Sequence, residues 1–390
     1  MAPELAISEL TNLALGSVVL DPMAGSGTVL RHASELGHNA IGFDMDPLAV
    51  LMSSVSTTAV SEVQIDRLLS KVRYEIGAGN EGELKLPWID DDPETREFVA
   101  YWFAAPQSAD LRRLAHSLFH LTTKRSSPAT RVAADVLRVA FSRIIITKDR
   151  GASLARDVSH SRPHKVSDAS DFEVIPAFER SVNQVRRLLT TNPPRGNVEV
   201  TLGDARSLTT VGNATIDAVL TSPPYLNAID YLRGHRLSLV WLGHRLADLR
   251  AIRSCSIGAE RGRDRNDHSD PFEEIQEAMC SDSKLLPRHA GMVARYAEDV
   301  YRMMSEISRV LKREGRAILV VGNSCLKGTF VRNSAGVVRA GEMVGLRVKS
   351  EVERELPIRS RYLPLPLAGD NPLGTRMRTE SVISFVPNRR

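Results

Sequence analysis

Apolar and polar positions near the N-terminus follow a pattern typical of an α/β protein. The apolar run 17–20 predicts a strand, residues 28–36 predict a helix that ends at Gly37, and residues 40–43 predict a second strand. Strand, glycine-rich turn, helix and strand in this order form one right-handed βαβ unit. The N-terminal pattern therefore predicts part of a parallel sheet.

Strand patterns return in the second half of the chain. The amphipathic stretch 293–311 predicts a long helix. Five further strands are predicted over residues 198–202, 216–220, 317–321, 346–353 and 381–386. The alternation in the last two indicates a terminal antiparallel hairpin.

The middle of the chain differs, because apolar residues from about 48 to 195 recur mainly at helical spacing. Helices are predicted at 94–103, 109–121, 130–146 and 177–189. A polar loop, residues 148–165, separates the last two of these helices. We therefore expect a helical insertion within a chain whose other segments form an α/β domain.

Two further segments complete the prediction. Residues 230–249 predict one helix, and residues 250–290 are polar and turn-rich. We expect residues 1–60 and 196–390 to form one domain, with residues 61–195 as the helical insertion.

Composition sets the class of protein. The chain has 390 residues, of which 42% are hydrophobic and 25% charged, enough for one large domain with insertions or for two domains. No apolar run approaches the ~20 residues that span a bilayer, and the N-terminus lacks a secretory pattern. We expect a cytoplasmic protein with no membrane partner. Because Cys255, Cys280 and Cys325 form no C-x-x-C, neither a disulfide framework nor a metal site is predicted.

Arginine dominates the basic residues, with 42 Arg among 51 Lys and Arg, although the net charge is only +4. The planar arginine fork suits phosphate groups and guanine edges. A genome rich in arginine codons would give the same excess. The functional interpretation gains weight only where arginines cluster.

The first candidate site is the segment that follows the first strand, Asp21-Pro22-Met23-Ala24-Gly25-Ser26-Gly27-Thr28. A Gly-x-Gly turn between a strand and a helix lets a ligand approach the backbone and the free N–H groups of the helix start. Asp44 ends the next strand, where an acid that binds a ribose belongs. The third glycine of the dinucleotide fingerprint and the Walker lysine are both absent, which argues against NAD and ATP. A tight structural turn is the alternative.

A second acid follows a later strand. Asp204, in Leu202-Gly203-Asp204-Ala205, has the position of a carboxylate that contacts the adenine amino group of an adenosine ligand. An N-terminal cap of a helix is an equally good interpretation, because aspartate serves that role well.

The most informative motif is Thr221-Ser222-Pro223-Pro224-Tyr225, which follows the apolar run 216–220. Two prolines cannot continue a sheet ladder, because each lacks an N–H and has a fixed φ. The chain must leave the sheet there in one stiff shape, at the edge where open α/β sheets bind ligands.

Together, the segments 21–28 and 221–225 resemble the S-adenosylmethionine-dependent DNA methyltransferases that modify exocyclic amino groups. The Ser-Pro-Pro-Tyr form resembles the cytosine-N4 enzymes more than the Asp-Pro-Pro-Tyr or Asn-Pro-Pro-Tyr forms common among adenine-N6 enzymes. The resemblance covers about residues 1–60 and 196–390. It implies a Rossmann-like methyltransferase fold and S-adenosyl-L-methionine as cofactor.

The resemblance also assigns residues. The catalytic set is Ser222, Pro223, Pro224 and Tyr225. The cofactor set is Asp21, Pro22, Ala24, Gly25, Ser26, Gly27, Thr28, Asp44, Asp204 and Ala205. The implied partner is DNA, with a cognate restriction endonuclease if the chain serves restriction–modification, and the implied location is near the nucleoid. The sequence leaves the oligomeric state open.

The chemistry agrees with the motif. An exocyclic amine is a poor nucleophile because its lone pair is delocalised into the ring, and acceptors that hold its N–H groups free that lone pair. The Ser222 side chain and a carbonyl near Pro223 are candidate acceptors, held in place by the prolines. Tyr225 is a candidate stacking partner for the base. No cysteine stands in a Pro-Cys motif, which disfavours cytosine-C5 chemistry.

The base must leave the duplex, so we expect base flipping and a basic surface for the DNA backbone. The candidate contacts lie in three segments, and they are Arg156, Arg162, Lys165, Arg233, Arg261, Arg263 and Arg265. Solvated loops are the alternative for each segment. His235 follows the catalytic motif closely, but a surface histidine without a partner is the simpler interpretation.

The linear order departs from many Ser-Pro-Pro-Tyr enzymes, because the cofactor motif precedes the catalytic motif. We hypothesise that residues 61–195 and 250–290 share recognition of the target sequence. Three alternatives remain: an adenine-N6 DNA methyltransferase, an RNA amino-methyltransferase, and a DNA-binding subunit without turnover.

Overall fold

The computed structural model describes residues 3–78, 84–147, 150–156, 163–191, 193–226, 231–259, 272–280, 287–326, 329–355 and 379–388. Two compact units are present. The first comprises 1–45, 195–229 and 254–390, and the second comprises 46–194 and 230–253. Within the described part of the chain, no helix combines the length and apolar character needed to cross a bilayer.

A seven-stranded sheet forms the centre of the first unit. Its strands are β1 (Val18–Asp21), β2 (Asn39–Asp44), β5 (Val198–Leu202), β6 (Ile216–Thr221), β7 (Leu311–Val321), β10 (Leu346–Glu355) and β11 (Thr379–Pro387). Their spatial order is β10-β11-β7-β6-β1-β2-β5, with parallel pairing from β7 to β5. Strand β11 is antiparallel to both of its neighbours. The predicted Rossmann-like α/β fold with a C-terminal antiparallel strand pair is confirmed.

The strand order reverses at the centre of this sheet. Strand β1 continues to β2 on one side, and β6 continues to β7 on the other. In open α/β sheets, ligands bind outside the carboxyl ends of the strands at such a switch point. The segments that follow Asp21 and Thr221 both lie there.

Helices cover both faces of the sheet, as parallel strands require. They are α1 (Pro3–Thr11), α2 (Thr28–Glu35), α12 (Glu273–Cys280), α13 (Pro287–Val310) and α14 (Asn333–Met343). Alternate residues of a strand face opposite sides. Accordingly, Val19 and Leu220 pack with α1 and α2, whereas Leu20 and Val219 pack with the three later helices. A small hairpin, β8 (Ser324–Leu326) and β9 (Thr329–Val331), follows β7.

The second unit is mainly helical, as the spacing of apolar residues predicts. Its elements are α3 (Pro47–Thr57), α4 (Glu62–Gly77), α5 (Pro87–Asp90), α6 (Pro93–Trp102), α7 (Ala105–His120), α8 (Pro128–Ser142), β3 (Ala155–Arg156), β4 (His164–Lys165), α9 (Val174–Thr191), α10 (Leu232–Leu239) and α11 (Leu246–Cys255), which ends in the first unit. The side chains of Ser61, Asp92 and Ser127 cap helix starts. Leu48 and Val55 of α3 lie in the core of this unit, so the units divide at Met45 rather than near residue 60.

Two local predictions were wrong. The single helix expected over 230–249 is two helices, α10 and α11. The Leu239 carbonyl accepts from the N–H groups of Leu242 and His244, and the Thr95 hydroxyl accepts from Leu246 N–H at 2.9 Å, so a tertiary contact starts the second helix. Part of the turn-rich segment 250–290 forms α12, whose Ile275 and Met279 are buried in the core of the first unit.

Candidate active site

The two motifs that the sequence singled out meet at the centre of the sheet. Strands β1 and β6 are parallel neighbours, with Leu20 paired to Val219. At their carboxyl ends, the Thr221 hydroxyl donates a hydrogen bond of 2.8 Å to Asp21 Oδ1. Both side chains are buried. Asp21, the first residue of the segment 21–28 (hereafter the glycine turn), therefore contacts Thr221, which directly precedes the segment 222–225 (hereafter the proline turn).

Backbone hydrogen bonds hold the glycine turn in place. Ala24 N–H donates to the Phe43 carbonyl and Gly27 N–H to the Ala24 carbonyl, each at 2.8 Å. Gly25 and Gly27 have φ of 54° and 84°, a region that favours glycine. The position of a Cβ on Gly25 has no atom within 4 Å, so a ligand has room to approach the backbone there. Gly27 starts α2 with no side-chain cap, which leaves N–H groups at the helix start for a ligand.

Two aspartate carboxylates accept hydrogen bonds from N–H groups of the glycine turn. Gly25 N–H donates to Asp44 Oδ2 at 2.8 Å, and this bond connects the turn to the end of β2. Asp21 accepts from Met23 N–H at 3.2 Å as well as from Thr221. Burial raises the pKa of the Asp21 carboxyl to about 6; the nearby Asp44 charge adds to this rise, and the two hydrogen bonds oppose it. The Asp21 side chain is therefore ionised near neutral pH but protonated in mild acid.

Asp204 lies at the end of the same row, after β5, and no helix begins there, so its interpretation as a helix cap was wrong. Its carboxylate accepts from Arg206, with Nη2 to Oδ2 at 2.6 Å and Nε to Oδ1 at 2.9 Å. The same guanidinium donates to Asp299 Oδ1 at 2.5 Å and to the Cys255 carbonyl at 2.6 Å. Ala205 is buried beside it. Arg206 thus fixes the orientation of the Asp204 carboxylate.

The proline turn leaves the sheet beside β7. The Ser222 hydroxyl donates to the Val320 carbonyl at 3.1 Å, so its oxygen lone pairs remain available. Pro223 is buried, Pro224 is exposed and Tyr225 is half-buried. Among the described residues, no donor reaches the Pro223 carbonyl. The turn therefore presents two hydrogen-bond acceptors and an aromatic ring.

Parts of the chain are similar to known methyltransferases. The family model described as DNA methylase matches residues 2–53. The type II methyltransferase M.BsoBI of Geobacillus stearothermophilus is 24% identical over 63% of this chain and 51% of its own length. The type II methyltransferase M.MvaI of Kocuria varians is 23% identical over 84% of this chain and 75% of its own length.

Over these residues the chain is similar to amino-group DNA methyltransferases. The predicted resemblance is confirmed, and the DNA methylase family implies S-adenosyl-L-methionine as the cofactor. The match to M.BsoBI spans about half the length of that protein.

Two solved structures are also similar to this chain. A TehB-like S-adenosylmethionine-dependent methyltransferase from Corynebacterium glutamicum has a TM-score of 0.30 at 9% identity, over 98% of this chain and 88% of that one. An S-adenosylmethionine-dependent methyltransferase from Methanosarcina mazei has a TM-score of 0.34 at 9% identity, over 100% of this chain and 99% of that one.

Three of the seven predicted DNA-contacting residues are described, and all three lie in the second unit: Arg156, Lys165 and Arg233. Strands β3 and β4 pair antiparallel, which places exposed Arg156 next to the strand that carries Lys165. Lys165 Nζ lies 2.6 Å from an Asp168 carboxylate oxygen and 5.1 Å from the Tyr101 ring centroid. Arg162, Arg261, Arg263 and Arg265 fall outside the described residues.

Sequence reasoning missed several partners. His235 was interpreted as a surface residue without a partner, but its Nδ1 lies 2.5 Å from Asp46 Oδ2 within the second unit. Arg206 and Tyr296 were also missed, although both contact motif residues. Arg206 stands two positions after Asp204, which is the one local signal available. Tyr296 lies on a helix 72 positions after Pro224, so no local pattern indicates it.

Proposed function

We propose that this chain is a DNA methyltransferase that transfers a methyl group from S-adenosyl-L-methionine to the exocyclic amine of a flipped base, with cytosine N4 as the favoured acceptor. The observation that carries the proposal is the hydrogen bond between Thr221 and Asp21. It supports a single site in which the glycine turn holds the cofactor and the proline turn holds the base.

The glycine turn and its acids suit the cofactor. S-adenosyl-L-methionine supplies an activated methyl group on a positively charged sulfur when it is bound. Asp21, Asp44 and Asp204 line the carboxyl ends of successive strands in the order β1, β2, β5, so they give this edge negative charge that complements the cofactor. The space at Gly25 and the helix start after Gly27 admit a ligand close to the backbone. We assign the cofactor set predicted from the sequence to these roles.

The proline turn suits an amine substrate. The Ser222 hydroxyl directs its proton to Val320, so its oxygen is left to accept a hydrogen bond from a substrate N–H. The Pro223 carbonyl has no donor among the described residues and is a second acceptor. Two acceptors on one amino group draw its lone pair away from the base and toward the methyl donor. The half-buried Tyr225 ring is placed to stack on the base.

The choice of cytosine rests on the serine that opens the proline turn. An aspartate or asparagine at that position is common in the adenine-N6 enzymes that the motif also resembles. Adenine N6 is therefore the second outcome of the test below.

A base inside a duplex cannot reach the edge of a sheet, so the proposal includes base flipping. It also requires a surface that holds the phosphate backbone, for which Arg156 and Lys165 on paired strands are the best described candidates. If they contact phosphate, replacing Arg156 with Gln should weaken DNA binding regardless of sequence and reduce the salt slope by about one.

Restriction–modification is the biological setting we propose, with a cognate endonuclease as partner and the nucleoid as location. Support comes from the names of the two relatives, each of which is a type II methyltransferase. Protection of methylated DNA from an endonuclease would test this setting after the acceptor base is known.

The deciding experiment is incubation of unmethylated DNA with the protein and S-adenosyl-L-methionine carrying a trideuterated methyl group, followed by mass spectrometry of the nucleosides. We expect deuterated N4-methylcytosine. Deuterated N6-methyladenine would retain the site and correct the acceptor. No labelled nucleoside from DNA, with label appearing in RNA or nowhere, would overturn the proposal. Tyr74→Ala, which changes an exposed tyrosine of the second unit, should give the same labelled nucleoside as the wild type.

A further inference from the structure

The two prolines limit the backbone torsions that link Ser222 to Pro224. The rings fix φ of Pro223 and Pro224. A following proline also restricts ψ, which constrains Ser222 and Pro223. Pro224 is followed by Tyr225, so ψ of Pro224 is the first torsion that no proline limits. That torsion sets the direction in which the chain continues to Tyr225, and so contributes to where the ring lies relative to the Ser222 hydroxyl and the Pro223 carbonyl.

A buried tyrosine contacts the group that reports this torsion. The Tyr296 hydroxyl donates a hydrogen bond of 3.1 Å to the Pro224 carbonyl, whose direction is set by ψ of Pro224. Tyr296 is 1% exposed and lies on α13, in the core that includes Leu20 and Val219. Its ring therefore has no freedom to follow the turn. Burial raises the pKa of the Tyr296 hydroxyl above its ordinary value, so it stays a donor throughout the neutral range.

The carbonyls of Tyr225 and Leu226 also have close neighbours from outside the turn. A Cβ on Gly258 would lie 3.0 Å from the Tyr225 carbonyl oxygen, and Gly258 has φ of 75°, so glycine is required for this approach. The Ser324 hydroxyl donates to the Leu226 carbonyl at 2.6 Å. Thus the carbonyls of Pro224 and Leu226 each accept a hydrogen bond and that of Tyr225 lies close to Gly258, whereas that of Pro223 is left for a substrate.

We propose that Tyr296 is a positioning residue, which sets the Pro224 torsion and so aligns the Tyr225 ring with the two acceptors that hold the substrate amine. This inference rests on the proposed function. It predicts a defect in turnover without a defect in cofactor binding, because the hydrogen bond of the Tyr296 hydroxyl goes to the proline turn.

The test compares Tyr296→Phe with Tyr301→Phe. Both residues lie on α13, and the Tyr301 ring packs on Phe272, 5.0 Å away between centroids. Tyr296→Phe keeps the buried ring and removes only the hydroxyl, so we expect kcat for DNA methylation to fall roughly five- to tenfold. The cofactor Kd by calorimetry and the Tm should match the wild type. Tyr301→Phe should retain full turnover.

Each result is decisive. A Tyr296→Phe enzyme with wild-type kcat overturns the inference, as does one whose kcat and cofactor affinity fall together. If that variant does not fold, Gly258→Ala perturbs the adjacent carbonyl and should lower kcat at unchanged cofactor Kd; wild-type kcat in Gly258→Ala would then overturn the inference. Absence of DNA methylation by the wild-type protein would overturn the proposed function, and the inference with it.

Discussion

The glycine turn and the proline turn lie at the same edge of the sheet but are built in opposite ways. The glycine turn depends on residues that tolerate unusual φ, and the bonds of its backbone N–H groups are short in sequence, such as the one from Gly25 to Asp44, 19 positions away. Only the Asp21 carboxylate reaches far along the chain, to Thr221. The proline turn depends on residues with little freedom, and its partners Val320 and Tyr296 lie 98 and 72 positions away. The glycine turn is therefore organised mainly by nearby backbone groups, and the proline turn by contacts that tertiary structure brings together.

The largest expected effect separates the two turns. Tyr225→Ala should lower kcat about 10- to 100-fold, because stacking on an aromatic ring contributes about 1–3 kcal/mol per base. The cofactor Kd should change little, since the ring belongs to the proline turn. Steady-state methylation and calorimetry measure the two quantities. Unchanged kcat would contradict the role of Tyr225.

The reverse pattern is expected on the glycine turn. Asp44→Ala removes a carboxylate that accepts from Gly25 N–H and faces the proposed cofactor site. We expect the cofactor Kd to rise about tenfold, as for loss of a charge-assisted hydrogen bond, with kcat at saturating cofactor much less affected. Asp168→Ala changes an exposed aspartate of the second unit and serves as the control. An unchanged Kd would remove Asp44 from the site.

Acid should weaken cofactor binding through Asp21 of the glycine turn. The pKa of Asp21 is about 6, so its negative charge is present above that pH and is lost below it. We expect cofactor affinity to fall about fivefold between pH 7.5 and about 5, because the fixed sulfonium charge loses a partner. The Asp21→Asn variant should bind more weakly and without this dependence. A wild-type affinity that is flat across this range would contradict the assignment.

This acid effect is distinct from unfolding. The pKa of Asp21 in the folded protein lies above its ordinary value of 3.8, so deprotonation costs stability as the pH rises from about 4 to 6. Protonation of Asp21 therefore stabilises the fold while it weakens cofactor binding. A Tm measured at each pH separates the two contributions.

The smallest effect concerns Arg206, whose partners lie outside both turns. Arg206 holds Asp204 near the glycine turn and the Cys255 carbonyl, three positions before Gly258. Arg206→Lys keeps the charge opposite Asp299 but loses the planar fork, so we expect about threefold changes in both cofactor Kd and kcat. Arg302→Lys, on the exposed face of α13, is the control. A change in only one quantity would show that the two turns are independent here.

The same contrast explains what the sequence predicted. Asp21, Gly25, Asp44 and the proline turn were recognised because their chemistry is written in short motifs beside apolar strands. Their adjacency followed from the rule that parallel strands place their carboxyl ends together. Tyr296 was not predicted, because an aromatic residue on an amphipathic helix has the pattern of an ordinary core residue.

The helical region shows a different limit. Helical spacing predicted the main helices of the second unit, but not that residues 230–253 join it or that α10 and α11 are separate. Both features depend on contacts between distant segments, such as Trp88 Nε1 to the Val240 carbonyl at 2.8 Å. The His235–Asp46 pair is another contact of this kind, 189 positions apart. Which segment recognises the DNA sequence stays a prediction.

The most direct test of the shared site is a crystal structure with S-adenosyl-L-homocysteine and a cytosine-containing oligonucleotide. The account predicts the cofactor product against Gly25 and Asp44, and a cytosine amino group within hydrogen-bond distance of Ser222 Oγ and the Pro223 carbonyl. Cofactor product bound away from the glycine turn, or a base that leaves the Ser222 and Pro223 acceptors unoccupied, would contradict it.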